Sequence, residues 1–145
     1  MMISERESAG EQVAAFKAQL AEADALLIAS PEHNFSLTAS LKNALDWGSR
    51  GPRNFWKDKP TGVCAVGGSG AIQSQMELRK VAVFLELRIL NRPFLSVSLR
   101  NDGGKFDSNG DVTDAGLQAE AGAMVAELQR YTVALRAGGA LDSKL

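Results

Sequence analysis

Residues 61–70 read Thr-Gly-Val-Cys-Ala-Val-Gly-Gly-Ser-Gly, a short apolar run that passes straight into a glycine-rich turn. Because the run is short, it fits a buried strand over 61–66 better than a helix. A segment of helical periodicity follows, from about Ala71 to Leu87, and its apolar residues cover two sides, which predicts deep burial. A strand, a glycine turn and a helix in this order form half of a β-α-β unit.

The same alternation extends on both sides of this segment. The sequence predicts helices over 10–22, 38–49 (capped by Thr38) and 113–137 (capped by Thr113), and strands over 25–29 and 93–99. We expect the continuous apolar run 25–29 to be buried on both faces. The alternation predicts an α/β fold in three layers, a parallel sheet with helices on both faces. Ligands bind such sheets at the carboxyl ends of the strands, which points to loops 30–37, 67–71 and 100–112.

Composition narrows the classes of function. The chain has 145 residues, 45% of them hydrophobic and 23% charged, and we expect a single domain over 1–145. A net charge of −1 argues against nucleic-acid binding by a basic face. One cysteine, Cys64, and one histidine, His33, exclude an internal disulfide and a multi-cysteine zinc site. No apolar run is long enough to cross a membrane and the first residues lack the pattern of a signal peptide, so we expect no membrane partner and a cytoplasmic location.

Charge is distributed unevenly along the chain. Residues 51–100 carry a net charge of +5, whereas 1–50 and 101–145 each carry −3. The basic middle segment either steers an anionic ligand or consists of ordinary solvated charges, and the second interpretation is favoured.

Two of the three candidate loops have an unusual composition. Gly67-Gly68-Ser69-Gly70 lets a flat ring or a phosphate approach bare backbone, although a tight strand-to-helix turn explains it equally well. It matches neither the dinucleotide-binding nor the P-loop pattern. The loop from Ser30 to Ser36 offers Asn34, Ser36 and free amides, or is simply a polar turn. Serine-triad, cysteine-nucleophile and calcium-loop patterns all fail, so we assign no catalytic residue and no metal ligand.

A longer pattern spans the first of these loops and the helix after it. Pro31-Glu32-His33-Asn34-Phe35-Ser36 followed by Leu41-Lys42-Asn43-Ala44-Leu45-Asp46-Trp47 resembles the NADPH-dependent FMN reductase family, which includes NAD(P)H:quinone and chromate reductases. The family pattern is roughly P-E-Y-N-x-S-x-x-x-x-L-K-N-A-x-D-W, and His33 stands where the family has tyrosine. The resemblance covers about residues 12–137.

The resemblance implies a flavodoxin-like fold, with FMN and NAD(P)H as cofactors. It implies an oxidoreductase that passes electrons from NAD(P)H to flavin or quinone-type small molecules. In this family the first loop holds the edge of the flavin ring and the glycine loop packs along it, so no protein nucleophile is needed. The implied cofactor-binding residues are Pro31, Glu32, His33, Asn34, Phe35, Ser36, Gly67, Gly68, Ser69 and Gly70.

The chain also departs from the family pattern. The family opens with a strand and an S-G-S-x-R-type loop that binds the FMN phosphate, whereas this sequence starts at the helix before the third strand. Of the strand order 2-1-3-4-5, strands 3, 4 and 5 are expected, with 25–29 as an open edge. The alternatives are a flavin-free or weakly binding remnant that acts as an oligomerising or interaction module, and a natural protein that is longer than this chain.

The family usually assembles through the region of the helix over 38–49. We expect a homodimer or homotetramer, with Trp47, Phe55 and Trp56 forming an aromatic patch at the surface. In the alternative, the two tryptophans fold back onto the protein's own core.

Overall fold

Helices and strands alternate along the chain, as the periodicity predicts. The computed structural model describes residues 3–100 and 104–141. The elements are α1 (Ile3–Glu22), β1 (Leu26–Pro31), α2 (Ala39–Gly48), β2 (Pro60–Gly67), α3 (Ile72–Leu85), β3 (Arg88–Ile89), β4 (Leu95–Ser98) and α4 (Ala115–Ala137). The predicted α/β class is confirmed, with element boundaries within a few residues of the predicted ones except at the start of α1.

All strand pairs in the sheet are parallel and β2 lies at its centre. On one side β1 pairs with β2 along its whole length, from Leu26 opposite Thr61 to Pro31 opposite Val66. On the other side β3 pairs with the start of β2, and β4 pairs with its end. The two-residue strand β3 was not predicted, because a segment this short has no measurable periodicity. Among the described residues β1 has a single neighbour, so its outer edge is open, as predicted.

The sheet carries helices on both faces and forms the middle of three layers. One core cluster joins α1, α2 and α3 to the sheet, with Leu20, Leu45 and Leu78 almost fully buried against Val63 of β2. A second cluster joins α4 to the opposite face. Its buried members are Leu95, Val97, Leu117 and Met124.

The expectation that strand 25–29 is buried on both faces is wrong. Side chains of β1 alternate between half-buried and exposed over most of the strand, and Leu27 is 48% exposed. Leu27 lies on the face covered by α4, but α4 packs over β2, where Met124 and Leu128 approach Gly62. An edge strand beside a single covering helix is therefore covered on one face only.

The expected deep burial of the helix from about Ala71 to Leu87 is also wrong. One side of α3 packs on the sheet through Leu78, Ala82 and Leu85, each at most 3% exposed. The apolar residues outside that side are exposed: Ile72 and Met76 at 49%, Val83 at 81% and Phe84 at 80%. Periodicity identifies the apolar positions of a helix but not what covers them, and here one layer of sheet covers one side.

Two helix starts differ from the prediction. The first helix begins at Ile3 and not at residue 10, because the intervening Glu and Arg are good helix formers although they add no apolar stripe. The last helix is capped by Asp114 and not by Thr113, since the carboxylate of Asp114 accepts the Leu117 amide at 2.7 Å. Thr38 caps α2, as predicted.

The predicted aromatic patch does not form as a unit. Trp56 is 4% exposed and donates its indole N–H to the Leu45 carbonyl at 2.8 Å, so it belongs to the core. Trp47 is 46% exposed on the flank of α2, with the Lys17 ammonium over its ring. A buried indole needs a hydrogen-bond acceptor, and the carbonyl of Leu45 supplies it.

Candidate functional site

The two loops expected to bind a ligand leave the sheet side by side. Pro31 ends β1 opposite Val66, one residue before Gly67 ends β2. The amide of Glu32 donates to the carbonyl of Val66 at 3.1 Å and so continues the pairing beyond β1. Residues 32–36, here the β1 loop, therefore start next to residues 67–71, here the glycine loop.

The β1 loop is a tight turn with an unusual backbone. His33 and Ser36 exchange two backbone hydrogen bonds, of 3.1 and 3.0 Å, around Asn34 and Phe35. Both central residues have positive φ, 49° and 63°. Asparagine tolerates this conformation, but in phenylalanine it is strained. The Phe35 side chain is nevertheless 70% exposed. A strained aromatic residue held at the surface is a feature of binding sites.

The glycine loop combines one crowded glycine with one that faces open space. A Cβ on Gly67 would lie 3.2 Å from the Cβ atoms of both Glu32 and Ala71, so glycine permits the close approach of the two loops. A Cβ on Gly68 would meet no atom within 4 Å. Gly70 has a φ of 91°, which favours glycine, and its amide closes the turn onto the Gly67 carbonyl at 3.2 Å. Gly68 thus presents bare backbone to open space beside the glycine loop.

A side chain ties the two loops together. The Oε2 atom of Glu32 accepts the backbone amide of Ser74, in the first turn of α3, at 3.0 Å. The N-cap residue of this helix, Ala71, provides no side-chain cap of its own. A carboxylate at this position also suits the positive end of the helix dipole. Sequence reasoning missed this contact, because its two residues are 42 positions apart.

Several other residues of the predicted site lie at the surface. His33, Asn34, Ser36, Gly68 and Ser69 are exposed. The structure therefore brings the predicted residues to one edge of the sheet and leaves much of their surface open to a ligand.

A buried polar group under the glycine loop was also missed. Gln75 is 1% exposed and its Nε2 donates to the Leu95 carbonyl at 2.6 Å, but its Oε1 has no partner within the described ranges. The Ser96 hydroxyl, 3.5 Å from where a Cβ on Gly70 would lie, is also without a partner in that part of the chain. The sequence signal was weak, since a glutamine in a helix is usually exposed.

The third candidate loop has its own internal structure. Of residues 104–112, Asp107 accepts the amides of Asn109 and Asp111 at 2.8 and 2.9 Å, and these two bonds close a turn. Residues 101–103 of this loop, and residues 142–145 of the C-terminal tail, lie outside the described residues.

The basic middle segment does not converge on these loops. Arg88 pairs with Asp58 at 2.7 Å, and the Lys59 ammonium lies on carbonyls at the end of α1. Lys57 and Lys59 line a cleft of about 320 Å³ beside Pro60, at the amino end of β2 and opposite the glycine loop. These residues are therefore solvated or paired charges, in line with the favoured interpretation.

The fold perturbs the pKa values of Cys64 and Arg79. Burial raises the pKa of the Cys64 thiol, which disfavours the reactive thiolate form. Burial, and then the charge of Arg92, lower the pKa of Arg79. Its guanidinium donates to the Asn91 side chain at 3.0 Å and lies over the ring of Phe94.

Residues 3–100 and 104–141 contain neither a group of metal ligands nor a membrane-spanning helix. Within these ranges no three His, Cys, Asp or Glu side chains are grouped so that they could hold a metal ion. No helix in the same ranges is long and apolar enough to cross a membrane.

Comparison with known proteins gives consistent results. A sequence model of a family described as NADPH-dependent FMN reductase matches residues 2–102. A probable NADPH:quinone oxidoreductase 1 of Oryza sativa and an NADPH:quinone oxidoreductase of Arabidopsis thaliana are each 42% identical over 125 residues, or 86% of this chain. The chain spans only 63% of the length of these curated relatives.

A solved structure extends the comparison to the fold. The flavoenzyme NAD(P)H:acceptor oxidoreductase FerB from Paracoccus denitrificans matches with a TM-score of 0.70 at 26% identity, over 90% of this chain and 74% of that one. This match confirms the flavodoxin-like fold. Because the family model covers more than half of the chain, the protein belongs to the NADPH-dependent FMN reductase family.

Proposed function

We propose that this protein binds FMN between the β1 loop and the glycine loop and transfers electrons from NAD(P)H to flavin or quinone-type acceptors. The observation that carries the proposal is the meeting of these two loops at the carboxyl ends of adjacent parallel strands, where such folds bind ligands. The names of the relatives from Oryza sativa and Arabidopsis thaliana support a quinone as acceptor. The flavin-free interaction module is not favoured.

The residues of the two loops hold and orient the flavin, and none of them forms a covalent bond to the substrate. FMN, when bound, supplies the hydride chemistry between nicotinamide and acceptor. The bare backbone of Gly68 borders the space for the flat face of the ring. The turn from Pro31 to Ser36 borders the ring edge, with backbone groups and the exposed Asn34 side chain as hydrogen-bonding partners. The open side of the site leaves room for the nicotinamide and then for the acceptor.

The described residues fit the flavin ring better than the FMN phosphate. The first turn of α3 would suit a phosphate, but its Ser74 amide already bonds the carboxylate of Glu32. A phosphate here would also meet the negative charge of Glu32. Each charge-assisted hydrogen bond that the FMN phosphate fails to make weakens binding by about 1.5–3 kcal/mol. We therefore propose that this chain holds FMN weakly.

Riboflavin, which lacks the phosphate, provides a matched ligand for the test. Titration of the purified protein by quenching of flavin fluorescence should give dissociation constants for FMN and riboflavin within about threefold of each other. NAD(P)H oxidation with a benzoquinone should require added FMN. FMN binding at least 100-fold tighter than riboflavin would contradict the weak-binding proposal. No binding of either flavin would refute the proposed function.

We also propose that the protein acts in the cytoplasm as a homodimer or homotetramer, without nucleic acid or membrane as partner. The oligomeric state is supported by α3. Its exposed apolar residues Ile72, Met76 and Val83 follow one another at helical spacing along one side of the helix. Sedimentation at micromolar concentration should give an oligomer, and Val83→Lys should shift it toward monomer. Trp47→Ala, on a different helix, should leave the oligomer intact. A wild-type monomer would contradict the proposal.

A further inference from the structure

The start of α3 depends on a residue from another part of the chain. The first amides of a helix have no partner within the helix and need acceptors from outside. Ala71, at the N-cap position, has a left-handed backbone with a φ of 51° and no side-chain oxygen. The Glu32 carboxylate fills this role by accepting the Ser74 amide at 3.0 Å.

The backbone of Glu32 is itself held rigidly. Its amide is bonded to the carbonyl of Val66, and its Cβ lies 3.2 Å from where a Cβ on Gly67 would be. A short path therefore runs from the end of β1, through one side chain, to the helix that follows the glycine loop. The spacing between the two loops is set along this path.

We propose that Glu32 is a positioning residue and not a contact of the flavin. Its carboxylate ties the β1 loop to α3 and so holds the two loops at the spacing that admits a flat ring. The proposal rests on the function proposed above, and it reassigns Glu32 within the set of cofactor-binding residues implied by the family resemblance. The other members of that set are unaffected.

Three substitutions of Glu32 separate the effect of side-chain length from the effect of charge. Glu32→Ala removes the acceptor. Glu32→Asp keeps the charge but shortens the side chain by one bond, about 1.5 Å, which breaks the contact with the Ser74 amide. Glu32→Gln loses the charge but keeps an oxygen that can accept this amide. Glu77→Ala is the matched control, because it removes an exposed carboxylate of α3 that pairs with Lys80.

Two measurements are made on each variant. Hydrogen exchange of the Ser74 amide, followed by NMR without flavin, reports whether the hydrogen bond between this amide and residue 32 is intact. The FMN dissociation constant reports its effect on the site. A lost helix cap costs about 1 kcal/mol, so Glu32→Ala and Glu32→Asp should speed exchange of this amide and weaken FMN binding about five- to tenfold. Glu32→Gln should stay within about threefold of wild type, and Glu77→Ala should not change either measurement.

The outcomes distinguish the two proposals. If Glu32→Ala speeds exchange of the Ser74 amide but binds FMN as wild type does, the positioning role is refuted and the proposed function stands. If Glu32→Gln weakens binding as much as Glu32→Ala, the charge acts directly and the positioning role is also refuted. If wild-type protein binds no FMN, the proposed function and the positioning role fail together. Should Glu32→Ala not fold, the aspartate and glutamine variants decide.

Discussion

Replacing Gly68 by alanine should separate ligand binding from folding. A Cβ at this position meets no atom within 4 Å, and Gly68 is not among the glycines with positive φ. The substitution therefore introduces no clash or backbone strain in the flavin-free protein. It also reduces the conformational freedom of the unfolded chain, which stabilises the folded state by about 0.4–1 kcal/mol.

The same methyl group should interfere with the flavin. It would project into the space that we assign to the ring face, and one extra carbon in a close-packed contact costs about 1–3 kcal/mol. That energy corresponds to a rise of about 5- to 150-fold in the FMN dissociation constant. A protein of this size gains about 2–4 °C in melting temperature per kcal/mol, so Gly68→Ala should melt up to about 4 °C higher than wild type.

Two neighbouring substitutions provide the comparison. Gly67→Ala places a Cβ 3.2 Å from the Cβ atoms of Glu32 and Ala71, so it should lower the free energy of unfolding by about 1–3 kcal/mol. Gly122→Ala, in α4 and also with open space around it, should raise stability by about 0.5–1 kcal/mol and leave FMN binding unchanged. Thermal melts followed by circular dichroism and flavin fluorescence titrations measure both effects.

The placement of the ring face beside Gly68 is refuted if Gly68→Ala binds FMN as tightly as wild type, because the ring then lies elsewhere. It is also refuted if this variant melts several degrees lower, because the space around Gly68 is then occupied in the folded protein. A loss of binding in Gly122→Ala would mean that the titration reports general damage and not a local contact.

Three further substitutions test the fold that supports the site. Gly48→Ala would place a Cβ 2.4 Å from the indole nitrogen of Trp56, so it should lower the free energy of unfolding by about 3 kcal/mol; a wild-type urea midpoint would contradict the buried position of that ring. Thr38→Ala removes the cap that accepts the Leu41 amide at 3.2 Å and should cost about 1 kcal/mol in the same assay, whereas an unchanged midpoint would show that this cap is not needed. Burial raises the pKa of Cys64 in the folded state, so the unfolded thiol ionises first and stability should fall as pH rises above about 8.5, the usual thiol value. Cys64→Ala should remove that part of the pH dependence, and an identical pH profile would count against it.

Local signals were sufficient for the architecture and for the adjacency of the two candidate loops. The strand at 61–66, the glycine turn after it and the helix after that are each encoded within a few residues, and so is the Thr38 cap. The carboxyl ends of parallel strands then bring the two loops together by a general rule. These features depend on neighbours in sequence or on topology, both of which the pattern reveals.

Contacts between distant segments were not predictable. Nothing local indicates that Glu32 bonds the Ser74 amide or that Trp56 turns inward to the carbonyl of Leu45. The apolar residues of α3 gave the right helix but the wrong burial, since Val83 and Phe84 face solvent. Helical periodicity records which positions are apolar, whereas burial depends on the elements that happen to pack there.

The pairing of the sheet also gives the two loops unequal stabilities. Strand β2 pairs with β1 on one side and with β3 and then β4 on the other, and its residues are largely buried. Among the residues that the structure describes, strand β1 pairs with β2 alone, and Leu27 on β1 is half-exposed. Edge segments of this kind open locally without unfolding the whole domain. The glycine loop is thus attached to the better-paired strand, whereas the β1 loop is held by the bonds of Glu32 to Val66 and to the first turn of α3. We expect faster hydrogen exchange in β1 than in β2, and a ligand bridging both loops should slow exchange more in β1 than in β2.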